Sequence, residues 1–279
     1  MAEQTSIEWC DHTFNPWTGC TKVSPGCKNC YAETLRARFG HDDEWGPNGI
    51  RNRTSESYWR QPLKWDRAAA EAGVRRRVFC ASLADVFEDR PELGEWRSDL
   101  WELIRATPNL DWLLLTKRPE NFGRMARGLY VCEWCSEPVD EPNSWCIECQ
   151  SEVALVPLPN VWFGTSVENQ GSIGRTYDLY VDASVTFLSC EPLLGPVVFD
   201  PDELEEIGWV IVGGESGPNA RPMHPEWVRS IRDQCVAAGV PFLFKQWGEY
   251  DENGVKVGKK AAGRMLDGRV WDEYPRGTR

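Results

Sequence analysis

The sequence predicts an α/β protein built as a full or partial (β/α) barrel, and three observations carry that reading. First, six apolar, β-branched or aromatic runs recur along the chain, each followed at once by polar residues: RVFCASLADVF (77–87), DWLLLTKRPENF (111–122), VWFGTSVEN (161–169), VTFLSCEPLLG (185–195), GWVIVGGESGP (208–218) and PFLFKQWGE (241–249). Continuous apolar runs of this length read as strands of a parallel sheet covered on both faces. Second, segments with apolar residues three and four apart lie between the runs, which makes six or seven βα units. Third, 279 residues suffice for one such barrel as a single domain, 1–279. A doubly wound open sheet is the alternative that the same grammar allows.

Taken in order, the chain begins with IEWCDHTFNPWTGCTKVSPGCKNCYAE, where Cys20, Cys27 and Cys30 fall within eleven residues and glycines and prolines keep the backbone turning. YAETLRARFG, directly after Cys30, reads as a helix. Between Arg51 and Arg77 eight Arg or Lys stand against three acidic residues, a local balance of +5. Such a run is ordinarily a solvated helix face, and otherwise a nucleic-acid contact. PELGEWRSDLWELIRATP (91–108) puts Leu93, Trp96, Leu100, Leu103 and Ile104 at helical spacing and ends before Pro108. HPEWVRSIRDQCVAAG (224–239) does the same with Trp227, Val228, Ile231, Cys235 and Val236, and stops at Gly239. The stretch 251–279 alternates turns and aromatics and reads as a hairpin, tail or lid over the barrel mouth.

An apolar fraction of 41 % and a charged fraction of 27 % are those of a globular protein. No apolar run approaches the roughly 20 residues that cross a bilayer, and the first residues lack the build of a secretory signal, so the expected place is the cytoplasm without membrane contact. Eleven cysteines in a reducing compartment point to metal ligation over disulfides. A net charge of −12 excludes a surface coated in positive charge for nonspecific nucleic-acid binding.

In either fold a ligand site lies beyond the carboxyl ends of the parallel strands. The residues that fall just past the apolar runs are therefore the candidates, above all Lys117, Glu168, Glu191, Glu215 and Lys245, with Asp85, Arg118, Ser166 and Gln246 beside them. Their alternative role is ion pairing with each other across the barrel top.

The cysteines fall into two groups. Within 130–156, Cys132-x2-Cys135 and Cys146-x2-Cys149 match a four-thiolate zinc site, so this segment reads as a small zinc-ribbon-like insertion in a βα loop, stapled by metal where a core would be too small. A closed site of that kind has no open coordination position. Cys20-x6-Cys27-x2-Cys30 supplies three thiolates, with Cys10 and His12 the nearest candidates for a fourth. Three thiolates suit an iron–sulfur cluster with one iron left open, or a zinc site if a fourth ligand joins.

The N-terminal motif together with KRPENF, GTSVEN, CEPLLG, GGESGPNARPMHPEWVRSIRDQC, FKQWGE and GRMLDGRVWDEYP resembles the phage gp thirty-seven/gp sixty-eight protein family, a three-cysteine-motif group, over nearly the whole chain outside the insertion. That family in turn resembles radical S-adenosylmethionine enzymes, whose usual C-x3-C-x2-C motif follows the first strand of a partial barrel. The resemblance implies a [4Fe-4S] cluster on Cys20, Cys27 and Cys30, with S-adenosyl-L-methionine as second cofactor beside the zinc. It implies a 5'-deoxyadenosyl radical that abstracts hydrogen, and an electron donor such as flavodoxin or ferredoxin. Gly213, Gly214 and Glu215 match by composition the GGE motif that contacts the cofactor's amine, and Glu168 would join them in cofactor binding. Lys117, Glu191 and Lys245 are the candidate catalytic residues. Here the first spacing is six instead of three, and the GGE counterpart falls on a later strand.

Three functions follow from different classes. The first is a radical S-adenosylmethionine-like enzyme acting on an anionic substrate such as a nucleotide or nucleic acid, in phage-type modification or repair. The second is a zinc-binding, nucleic-acid-associated or partner-binding protein without radical chemistry. The third is a barrel hydrolase using the clustered carboxylates, with structural metals.

Overall fold

The protein is described by a computed structural model that covers residues 5, 7–135, 145, 146, 148, 149, 151, 152, 155–179 and 183–275. Parts of the 130–156 insertion and the last four residues of the 251–279 tail lie outside the described residues. Seven strands form one sheet: β1 (His12–Thr13), β2 (Arg76–Cys80), β3 (Leu110–Thr116), β4 (Val161–Ser166), β5 (Val185–Cys190), β6 (Trp209–Gly213) and β7 (Phe242–Gln246). Every neighbouring pair is parallel, and spatial order equals chain order. A doubly wound sheet reverses direction at a switch point; this one never does, so each unit is added on the same side, as in a barrel.

The sheet is curled and open. Trp9, just ahead of β1, lies edge-on to Trp209 of β6 with ring centroids 6.3 Å apart. Across a flat sheet five strand spacings would separate them by about 24 Å. Successive residues on each strand serve different cores, as a two-residue period demands. Val78, Trp112, Phe163, Leu188, Val210 and Phe242 pack outward against helices, while Phe79, Leu113, Trp162, Phe187, Trp209 and Leu243 fill the inside with Trp9 and Cys10. Hence the uninterrupted apolar runs. Gly164 stands where an inward side chain would be, because a Cβ there would lie 2.3 Å from the Phe187 ring.

The outer helices are α1 (Tyr31–Ala37), α2 (Gln61–Ala72), α3 (Leu93–Arg105), α4 (Pro201–Glu205) and α5 (Pro225–Ala238). Each of α2, α3 and α5 buries residues three and four apart. α5 starts on a His224 cap and ends at Gly239 in the left-handed region. Val236, expected on its buried side, is exposed. No helix among the described residues is long and apolar enough to cross a membrane.

The basic segment divides: Arg51 is buried against Glu88, Arg53 pairs with Asp99 over the Trp59 ring, Arg75 holds Asp111, and Arg76 and Arg77 face Asp11, whereas Arg60, Lys64 and Arg67 are exposed on or just before α2, the solvated face expected of such a run. The tail forms a hairpin (Met265–Leu266 with Arg269–Val270) and then runs antiparallel beside β7, where the Phe244 amide donates to the Trp271 carbonyl. An open sheet leaves that edge with unpaired backbone groups, and the tail covers it. It ends under the barrel, with Tyr274 beneath Arg77 and donating to the Glu8 carbonyl, so its last described stretch lies at the end opposite the mouth.

Candidate functional site

The N-terminal cysteine loop leaves β1 and crosses the carboxyl ends of the strands. Asn15 turns it, accepting from the Leu83 amide at 2.7 Å. Gly19, at φ 102°, precedes Cys20 where a Cβ would sit 2.7 Å from the Glu44 carbonyl oxygen. Gly26 is needed for a different reason: a Cβ would meet Glu168 Oε1 at 2.4 Å. Cys30 caps α1, a helix of seven residues.

Three buried carboxylates hold this loop. Glu168 accepts from Ser24 Oγ at 2.6 Å and from Arg175 Nη1 at 2.9 Å, with Lys117 Nζ at 3.1 Å. Glu215 accepts from Asn29 Nδ2 at 3.0 Å and from the Arg221 amide and guanidinium at 2.8 and 2.9 Å, while Arg221 Nη1 also donates to the Pro25 carbonyl. Glu88 accepts from the Thr21 amide at 3.0 Å and from Arg51. Burial by itself raises a carboxyl pKa. Here the facing cations and hydrogen bonds outweigh it and hold Glu88, Glu168 and Glu215 below the usual carboxylate range. All three are therefore anions committed to protein partners.

Cys20, Cys27 and Cys30 open onto one cavity of about 470 Å³ at the barrel mouth. Trp9, Phe79 and Leu115 form its floor, and Lys117, Glu191, Gly214, Glu215 and Lys245 line its wall. Glu191 receives Lys245 Nζ at 2.6 and 2.9 Å, so the two expected catalytic groups form one ion pair on the wall. Glu168 lies outside this lining and faces the cysteine loop and an adjoining cleft. Gly213 packs under Glu191, and Gly214 is required because a Cβ would lie 1.8 Å from the Trp247 carbonyl oxygen. The two glycines thus have packing reasons of their own. Gln246 Oε1 and Trp9 Nε1 belong to buried residues on the lining, and neither atom has a hydrogen-bond partner among the described residues.

Arg221, Asn29 and Ser24 escaped the sequence analysis because they come from loops, and Arg175 because it lies on a 3-10 turn segment (Gln170–Leu179), where no apolar periodicity marks a residue. Cys10 and His12 do not complete the triad: Cys10 packs in the inner core and His12 stacks on Trp65 at 4.3 Å.

The second cysteine group differs in spacing. Cys132 and Cys149 sulfurs stand 3.5 Å apart, and those of Cys135 and Cys146 3.4 Å. Four thiolates about 2.3 Å from one zinc ion are about 3.8 Å apart, so this group fits a single tetrahedral ion. Burial opposes ionisation of Cys132, yet the Cys135 and Trp134 amides and the Cys149 side chain bring its pKa down to about 7. Among the described residues this is the one group of three or more ligands whose atoms all lie within 4.8 Å. Cys20, Cys27 and Cys30 share one cavity. Burial pushes the Cys20 thiol up to about 12 and raises Cys30, so a metal entering there must displace protons.

No curated protein matches the chain. Among solved structures it is similar to spore photoproduct lyase complexed with dinucleoside spore photoproduct, at 12 % identity and TM-score 0.39 over 78 % of this chain and 58 % of that one. A mutant of the same lyase with bound AdoMet and dinucleoside spore photoproduct gives 12 % identity and TM-score 0.42 over 81 % and 61 %. The chain spans about three fifths of the length of those proteins. Residues 4–275 match the family DUF5131, described as a protein of unknown function, and the chain belongs to that family.

Proposed function

We propose that this protein is a radical S-adenosylmethionine-type enzyme with its reaction chamber in the barrel mouth. The observation that carries the reading is the triad: three cysteines of one loop facing a single cavity at the carboxyl ends of parallel strands. Cys20, Cys27 and Cys30 would hold a [4Fe-4S] cluster, and the cavity would take S-adenosylmethionine. When bound, these groups supply one-electron reduction of the sulfonium and a 5'-deoxyadenosyl radical able to abstract hydrogen.

The chain's own residues account for the rest. Glu168, Glu215 and Glu88 hold the loop that carries the sulfurs, so the ligand set is positioned by the barrel. The Glu191–Lys245 pair presents one carboxylate and one ammonium on the cavity wall, a complement to an α-amino carboxylate group. The apolar floor keeps water from below. Lys259 on the lining, with Lys117 beside it already facing Glu168, favours an anionic substrate such as a nucleotide or nucleic acid; within 51–77, Arg51, Arg53 and Arg75 are paired within the protein while Lys64 and Arg67 stay exposed. A carboxylate-driven hydrolase is disfavoured because Glu168 and Glu215 are each committed to cations.

The test is iron, sulfide and zinc analysis of anaerobically purified protein, with electron paramagnetic resonance spectra after reduction, with and without S-adenosylmethionine. A reduced-cluster signal that changes on adding S-adenosylmethionine supports the reading. Zinc alone at both sites after reconstitution overturns it in favour of a zinc-binding partner protein.

A further inference from the structure

The three sulfurs of the triad do not have equivalent surroundings. Arg118 closes the KR pair that follows β3, and it is 7 % exposed. Its Nη1 lies 3.7 Å from Cys20 Sγ and donates to Asp85 Oδ2 at 2.7 Å, while its Nη2 donates to the Thr21 carbonyl at 2.6 Å. Glu88 Oε1 is 3.8 Å away. Asp85 is locked in turn: Oδ1 accepts from Thr116 Oγ1 at 2.6 Å and from the Phe87 amide, and Oδ2 from the Lys117 amide. The guanidinium therefore cannot swing out to water. Cys27, by contrast, meets the uncharged Ser24 hydroxyl at 3.6 Å, and Cys30 the amides of Ala32 and Glu33.

We infer that Arg118, anchored by Asp85, is a positioning and tuning residue that makes a cluster held by Cys20, Cys27 and Cys30 easier to reduce. The inference rests on the cluster reading of the proposed function. Hydrogen bonds to ligating sulfurs and nearby charge set cluster potentials, and low dielectric enlarges both effects. In the step concerned one electron enters from an external one-electron reductant; no bond to Arg118 forms or breaks and its proton stays in place. The added negative charge is stabilised by a cation at contact distance from Cys20. Asp85, which accepts from the same Nη1 that meets the sulfur, and Glu88 beside it work in the opposite sense, so removing the cation and removing a carboxylate shift the cluster in opposite directions.

The experiment is a potentiometric titration of the anaerobic full-length protein with dithionite, followed by electron paramagnetic resonance, for the parent protein, Arg118→Gln, Arg118→Lys and Asp85→Asn. Arg118→Gln should move the midpoint to more negative potential and Asp85→Asn to more positive, with Arg118→Lys between Arg118→Gln and the parent. Zinc content should not change. If Arg118→Gln fails to fold or load, Arg118→Lys against Asp85→Asn retains the opposite signs. Equal midpoints in proteins that all carry a cluster, or shifts of one sign in every variant, overturn this inference alone. No cluster in the reconstituted parent overturns it together with the reading it rests on.

Discussion

Cys132, Cys135, Cys146 and Cys149 are brought to single-ion distance by two C-x2-C turns, whereas Cys20, Cys27 and Cys30 are held around a cavity by side chains reaching in from other parts of the barrel. The difference teaches how each site must be made. A knuckle is local, so ligand spacing in the sequence nearly suffices. The triad is assembled from afar: Ser24 meets Glu168, Asn29 meets Glu215 and Cys20 meets Arg118, contacts spanning 144, 186 and 98 positions. Such a site exists only in the folded barrel, and it can stay open because no fourth cysteine is needed to hold it.

The largest effect should separate the two groups outright. Cys27→Ala is expected to abolish the brown chromophore and leave zinc in place, while Cys132→Ala should lower zinc and keep the chromophore; metal analysis with absorption spectra reads both. Retention of the chromophore in Cys27→Ala would break the comparison at its root. Next, Glu168→Ala leaves Lys117 and Arg175 facing a lost carboxylate that is 1 % exposed. Removing one partner of a buried ion pair costs about 3 kcal/mol. Urea unfolding should show that loss along with poorer iron loading and normal zinc. Gly26→Ala should act on the same loop by overpacking against Glu168, for about 1–3 kcal/mol, with the same selectivity in metal content. Zinc loss equal to iron loss in either variant would mean that the two sites do not fold independently.

The smallest expected effect is that of pH on the metal-free protein. Glu168 and Glu215 have folded pKa values below the usual range, so they bind fewer protons folded than unfolded in the acid window. Their stabilisation is fully present above the unfolded carboxyl pKa of about 4.3 and is lost as pH falls through their folded values. Urea midpoints measured from pH 6 down to pH 3 should fall, and Glu168→Gln should fall less steeply. A slope unchanged by that substitution would remove Glu168 from the clasp.

Much of the frame was legible from residue order. Six of the seven strands announced themselves because both faces of each are buried; β1, with two residues, is too short to carry a pattern. The residues that end the runs do converge at the mouth, since strand ends in a parallel barrel share one side. What those residues do there was not legible. Glu168, expected to meet a cofactor, turns to the cysteine loop and Glu215 on the cavity wall also holds Asn29 of that loop, because Arg175 and Arg221 arrive from segments with no signal in the sequence. The basic run 51–77 was readable as charge but not as contact, for its partners Asp11, Glu88, Asp99 and Asp111 lie elsewhere in the chain.

By itself, then, the sequence determined whatever depends on neighbours along the chain: apolar runs doubly covered, helical spacing, glycine stops and the C-x2-C knuckles. Only the tertiary structure decided what depends on closure of the sheet. Curling brings Trp9 against Trp209, opens a cavity above that floor, and sets Arg118 and the loop carboxylates around the triad. The reason is physical: buried charges must find partners, and in a barrel those partners come from whichever loop the curvature brings near.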